Sequence, residues 1–125
     1  YKEVVIKQHP GFPLDKYLAN YNPPFSYSLI SESLHSLWAR VDVVYCPNSP
    51  GASLEAAYMG LPTIIPIPIN SLNMNPLYGL PGLEFATTSA MLAEKLNDPG
   101  LLDIPEDYFF FDQNLTRWKL FLDLE

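Results

Sequence analysis

Cysteine is nearly absent from this chain of 125 residues. Cys46 stands alone, which excludes an intramolecular disulfide framework and fits a reducing cytoplasm. Basic residues are scarce as well: seven Lys and Arg face fourteen Asp and Glu, a net charge of −7. Without a basic patch, nucleic acid is a poor partner. Long-range attraction does not recruit a polyphosphate either, so a phosphate site here has to rest on backbone N–H groups or on a second domain. Histidine occurs only at His9 and His35, with no further ligand at metal spacing, and no metal site is expected. Long apolar runs are missing: the most apolar stretch, 61–69, is cut by Pro62, Pro66 and Pro68. Nothing approaches the roughly 20 residues of a membrane span. There is no dinucleotide glycine fingerprint, internal repeat or low-complexity tract. No signal peptide is visible, but the chain opens directly on a strand, as expected of a piece of a longer protein.

What is present is enough for a packed core. Hydrophobic residues make up 48% of the chain and charged ones 17%, which excludes disorder. The stretch that organises the chain is VDVVYCPNSPGASLEAAYMGLPTIIP, residues 41–66. Val41, Val43, Val44 and Tyr45 read as a strand buried on both faces. Turn chemistry follows in Pro47, Asn48, Ser49, Pro50 and Gly51. Ser49 is placed to cap a helix, and Pro50 suits the first helical position because it has no N–H to leave unpaired. Gly60 stops that helix where a left-handed residue is needed, Pro62 lies just beyond, and Thr63, Ile64 and Ile65 begin the next strand. This βαβ unit predicts an α/β fold, a Rossmann-like parallel sheet flanked by helices, over residues 1–125 as one domain. Its helix starts at the carboxyl end of a strand, where open α/β sheets bind ligands.

The helix opening is a candidate anion site. The N–H groups of Gly51, Ala52 and Ser53 would face outward with the positive end of the helix dipole behind them, and Gly51 would let a phosphate approach the backbone. Glu55 lies one turn further along on the side of Gly51, where a carboxylate suits the paired hydroxyls of a ribose. The plainer alternative is that Ser49 is only a cap and Glu55 only a solvated helix residue.

The run NSPGASLEAAYMGLPTI resembles the donor-binding segment of GT-B glycosyltransferases, in which a small-residue turn precedes Glu-Ala, a Gly-x-Pro and an apolar strand. The resemblance implies that Ser49, Gly51 and Ala52 contact the donor phosphates and that Glu55 holds the ribose. Non-hydrolysing nucleotide-sugar epimerases share the fold and a related segment. The first strand, 2–7, ends in Gln8, His9 and Pro10. A strand ending in His-Pro resembles a motif of bacterial capsule, sialic-acid and teichoic-acid transferases, which implies that His9 contacts the donor phosphate. If the strands are parallel, His9 lies on the sheet edge that carries Ser49. The plainer reading of His9 is a surface loop histidine.

The remaining segments read as follows. Residues 14–18 form a helical turn and 25–30 a second strand. Ser31 caps a helix to about Arg40, with Leu34, Leu37 and Trp38 on one face and Trp38 in the core. His35 is a solvated helix residue and Asp42 is structural. Cys46 at the end of the central strand is a core thiol; as a nucleophile it would need His9 as its base. The loop 67–81 is long enough to be functional, and Asn70, Ser71, Asn73 and Asn75 offer polar groups for a sugar, asparagine turn chemistry being the alternative. Residues 84–87 form an edge strand, and Thr88 or Ser89 caps a helix to Leu96. The tail, 107–125, is aromatic, and Leu115, Trp118, Phe121 and Leu122 mark one face of a closing helix. Its apolar face, with Phe109 and Phe111, is expected to dock on a missing N-terminal domain.

Together these readings lead to the C-terminal, donor-binding half of a GT-B glycosyltransferase of bacterial surface polysaccharide synthesis, such as capsule or lipopolysaccharide. Its ligand would be a nucleotide sugar and its acceptor a carbohydrate or lipid-linked acceptor. No cofactor is expected, and the catalytic base is assigned to no residue here. The full-length protein is expected in the cytoplasm, peripheral at the inner membrane. The His-Pro and serine pair leans towards a cytidine nucleotide, whereas Glu55 suits uridine or guanosine diphosphates as well. The rivals are an epimerase half-domain and a non-catalytic α/β binding or assembly domain.

Overall fold

A computed structural model of the chain describes residues 3–48, 50–105, 108–109 and 114–123. The fold is α/β, with parallel strands in two small sheets flanked by helices. It divides into two compact units, Tyr1–Asp42 and Val43–Glu125.

In the first unit, β1 (Val4–Lys7) pairs in parallel with β2 (Tyr27–Ile30), Val4 opposite Tyr27 and Lys7 opposite Ile30. The intervening segment holds the short helix α1 (Asp15–Leu18). The helix expected from Ser31 to Arg40 does not form. Two 3-10 turns, Leu34–Ser36 and Trp38–Arg40, take its place. The serines explain this: the Ser36 hydroxyl donates to the Ser33 carbonyl at 2.8 Å, competing for the acceptor that a longer helix would use. Ser31 caps nothing; its Oγ accepts from Gln8 Nε2 at 3.0 Å. Leu37 and Trp38 are buried all the same, 4% and 6% exposed, so the tryptophan is core as expected.

In the second unit, β3 (Val44–Tyr45), β4 (Thr63–Pro66) and β5 (Glu84–Ala86) form a parallel sheet in the order β3-β4-β5. The strand buried on both faces is therefore β4, whose Thr63, Ile64 and Ile65 are all buried. The expectation that the 41–45 run would hold that place is corrected: β3 has a single strand neighbour, and Tyr45 is 54% exposed. Helix α2 (Pro50–Tyr58) joins β3 to β4 and packs on β4 through Ala56 and Ala57, whose small side chains let the helix lie close to the sheet.

The end of α2 follows the sequence reading closely. Gly60 has φ +71°. Its N–H donates to the Ala57 carbonyl at 2.9 Å, and the Leu61 N–H donates to the Ala56 carbonyl at 3.0 Å. These two bonds define a Schellman cap, satisfying carbonyls that the helix end would otherwise leave bare. Helix α3 (Ser89–Asn97) is capped by Thr88, whose Oγ1 accepts the Met91 N–H, and it packs on β4 and β5. Lys95 on α3 pairs with Glu84 on β5.

Parallel strands need a crossover of a dozen or more residues. Between β4 and β5 the loop of residues 67–83 supplies it as a chain of turns, without regular secondary structure. Tyr108 donates its hydroxyl to the Pro76 carbonyl at 2.7 Å, and Phe109 meets Tyr58 edge-on with ring centroids 5.5 Å apart. Phe109 is half-buried. Phe111 lies outside the described residues. Helix α4 (Thr116–Phe121) does expose its apolar residues: Trp118 is 62% and Phe121 79% exposed.

Candidate functional site

Because β3 and β4 run parallel, the segment after Tyr45 and the loop after Pro66 leave the same edge of the sheet. The first leads into α2 and the second is the 67–81 loop, so the two candidate segments emerge side by side. Helix α2 begins at Pro50, as expected. Ser49 lies outside the described residues. Gly51 is exposed and Ala52 half-buried at the first turn, where amides precede the i→i−4 ladder. Among the described residues a Cβ built on Gly51 meets nothing within 4 Å, and its φ is not in the left-handed region. The fold itself therefore has no use for glycine at this position, although glycine in a helix costs roughly 0.5–1 kcal/mol relative to alanine. Glu55 is exposed one turn further along α2.

The loop is fastened to this edge by two asparagines. Asn48 Nδ2 donates to the Leu72 carbonyl at 3.0 Å. Asn75 is 3% exposed; its Nδ2 donates to Ser53 Oγ at 2.9 Å and its Oδ1 accepts the Leu77 N–H at 3.0 Å. Ser53 is itself fully buried, so its side chain belongs to this clasp. Asn73 Oδ1 accepts the Asn75 N–H, an Asx turn. Of the loop groups set against a sugar, Asn70 and Ser71 are exposed, Asn73 is partly committed to the turn, and Asn75 is structural. The clasp was missed in the sequence, where Asn75 was read as a polar group for a sugar or a turn asparagine and Ser53 as an N–H donor at the helix opening.

Cys46, at the end of β3, is 3% exposed, and burial pushes its thiol up to about 11. A thiol held protonated is a poor nucleophile, which fits the core reading. The sign of its effect on stability follows. The unfolded chain loses the thiol proton first, so Cys46 lowers stability as pH rises from about 9 towards 11. Thermal unfolding at pH 7, 9 and 10.5 should show this decline weakened in Cys46→Ala.

His9 occupies the turn after β1. The Phe12 N–H donates to the His9 carbonyl at 2.9 Å, and the Gly11 N–H donates to His9 Nδ1 at 3.0 Å. An Nδ1 that accepts leaves the ring proton on Nε2, and the side chain is exposed. Gln8 pins the same turn: its Oε1 accepts the Leu14 N–H, and its backbone N–H donates to the Ile30 carbonyl. Among the described residues β1 and β2 form one small parallel sheet and β3, β4 and β5 another, and His9 follows β1 of the first.

No family model, curated protein or solved structure matches the chain. Among the described residues there is no group of three or more His, Cys, Asp or Glu able to hold a metal, and no helix long and apolar enough to cross a membrane.

Proposed function

We propose that this chain binds a nucleotide sugar and is the donor half of a GT-B type glycosyltransferase acting in surface polysaccharide synthesis. The observation that carries the proposal is Gly51: an exposed glycine in the first turn of α2, with open space over it, at the carboxyl edge of a parallel sheet. A glycine the fold does not need has a reason if a phosphate lies against the backbone there. The same resemblance assigns donor phosphate contact to Ser49, Ala52 and His9, and ribose contact to Glu55. The 67–81 loop beside the helix start would face the sugar through Asn70, Ser71 and Asn73.

Transfer chemistry in such an enzyme takes place between two domains, so the acceptor site and the catalytic base belong to a missing half. The exposed Trp118 and Phe121 of α4 provide a surface for that half. The full-length protein would work in the cytoplasm, where nucleotide sugars are made, and reach lipid-linked acceptors at the membrane surface.

Titration of UDP, CMP and nucleotide sugars, followed by backbone amide shifts, tests this reading. Gly51, Ala52 and His9 should move first. Saturating nucleotide that shifts other residues and leaves these unmoved defeats the assignment. Two substitutions sharpen it. Gly51→Ala should raise stability by about 0.5–1 kcal/mol because no contact opposes the new methyl. Gly51→Val should leave the fold intact and weaken nucleotide binding by crowding the phosphate.

A further inference from the structure

An aromatic pair lies three and eight residues after His9. Phe12 and Tyr17 are stacked, with ring centroids 5.7 Å apart and an interplanar angle of 17°. Each is 59% exposed, so the pair offers a wide flat apolar surface to solvent. It is held in place from both sides. Phe12 closes the turn with His9 through a backbone hydrogen bond, and the Tyr17 N–H donates to the Leu14 carbonyl at 2.9 Å at the start of α1. Leu14 in turn is tied by its own N–H to the Gln8 side chain. One short segment, 8–17, therefore presents an outward-facing imidazole and two parallel rings on a hydrogen-bonded frame.

The charge around this segment differs from that of the rest. Residues 1–31 carry three of the seven basic residues, Lys2, Lys7 and Lys16, and only two of the fourteen acidic ones, Glu3 and Asp15. This is a region of positive balance in a chain of net charge −7, and the exposed Lys16 lies next to Tyr17 in α1. Flat apolar surface and an N–H donor, away from most of the chain's acidic residues, suit a planar ring joined to an anion. Aromatic side chains take nucleobases of any kind because every base has a π-face.

We propose that Phe12 and Tyr17 form a stacking platform for the base of a nucleotide whose phosphate is held by His9 Nε2. The proposal rests on the reading of His9 as a phosphate contact given above and extends it, by assigning the base to two residues of the same unit.

The test titrates the whole chain with CMP, UMP, ribose 5-phosphate, glucose 1-phosphate and pyrophosphate, by calorimetry and by proton spectra of the ligand. With the wild-type chain, CMP or UMP binds more tightly than ribose 5-phosphate, and the base protons move upfield under the ring currents. Phe12→Leu and Tyr17→Leu should each weaken nucleotide binding about tenfold and leave pyrophosphate binding unchanged. Tyr17→Phe keeps the ring and should keep the affinity, which separates stacking from any loss of fold. Nucleotide affinity unaltered in both leucine variants overturns the platform and leaves the donor reading standing. Aromatic dependence seen for glucose 1-phosphate and not for nucleotides overturns it in favour of a sugar ring. No binding of any nucleotide by the wild-type chain overturns both readings.

Discussion

Gly82→Ala is expected to destabilise the second unit by about 3–5 kcal/mol, seen as a fall in melting temperature of roughly 10–20 °C. Two effects combine at this position. Gly82 has φ +79°, and an L residue held there costs about 1–2 kcal/mol. In addition, a Cβ at Gly82 would run into the Leu101 carbonyl oxygen and lie 2.9 Å from its carbon, both backbone atoms with no rotamer to yield. The segment after α3 crosses the crossover loop here, and the Asp103 N–H fixes it by donating to the Pro81 carbonyl at 2.9 Å. Relief would require moving that segment off the loop and breaking this bond. Gly79→Ala is the natural control. Gly79 has φ +92° but meets nothing within 4 Å, so it should lose only the conformational part. Equal losses in the two variants would mean that the close approach of Leu101 carries no weight.

The same contrast shows what a sequence displays and what it hides. Signals that act over a few residues were legible. Gly60 and Pro62 announced the end of α2 because a Schellman cap depends only on local φ and the next two hydrogen bonds. Thr88 announced α3 for the same reason, and the 63–66 and 84–87 runs were found as strands. Signals that depend on distant partners were not legible. Val41 to Tyr45 looked like a central strand by composition, but strand order decides which run is buried, and β4 took the centre. Ser36 lay in a run that looked compatible with a helix until its hydroxyl competed for the Ser33 carbonyl. The Ser53–Asn75 clasp joins residues 22 apart, and neither partner signals the other. At the candidate site, the Pro50 start, the open Gly51 and the exposed Glu55 were readable from spacing. The clasp that commits Ser53 and Asn75 to structure was not.

Glu55→Gln in the full-length enzyme is expected to weaken donor binding roughly ten- to a hundred-fold with nearly unchanged thermal stability. A carboxylate accepting from two ribose hydroxyls makes charge-assisted hydrogen bonds worth on the order of 1.5–3 kcal/mol, and the neutral amide keeps the shape while losing that charge. Glu55 is exposed on α2, one turn beyond Gly51, so its replacement by an isosteric amide opens no cavity. Substitutions at such positions usually stay within about 0.5 kcal/mol of stability. A glutamate that serves only the helix predicts the opposite pair of results: intact donor affinity and a small loss of stability. Measuring both quantities on the same variant therefore decides between the readings without reference to turnover. Unaltered affinity would return Glu55 to the helix surface and leave the nucleotide proposal resting on Gly51 and on His9 alone.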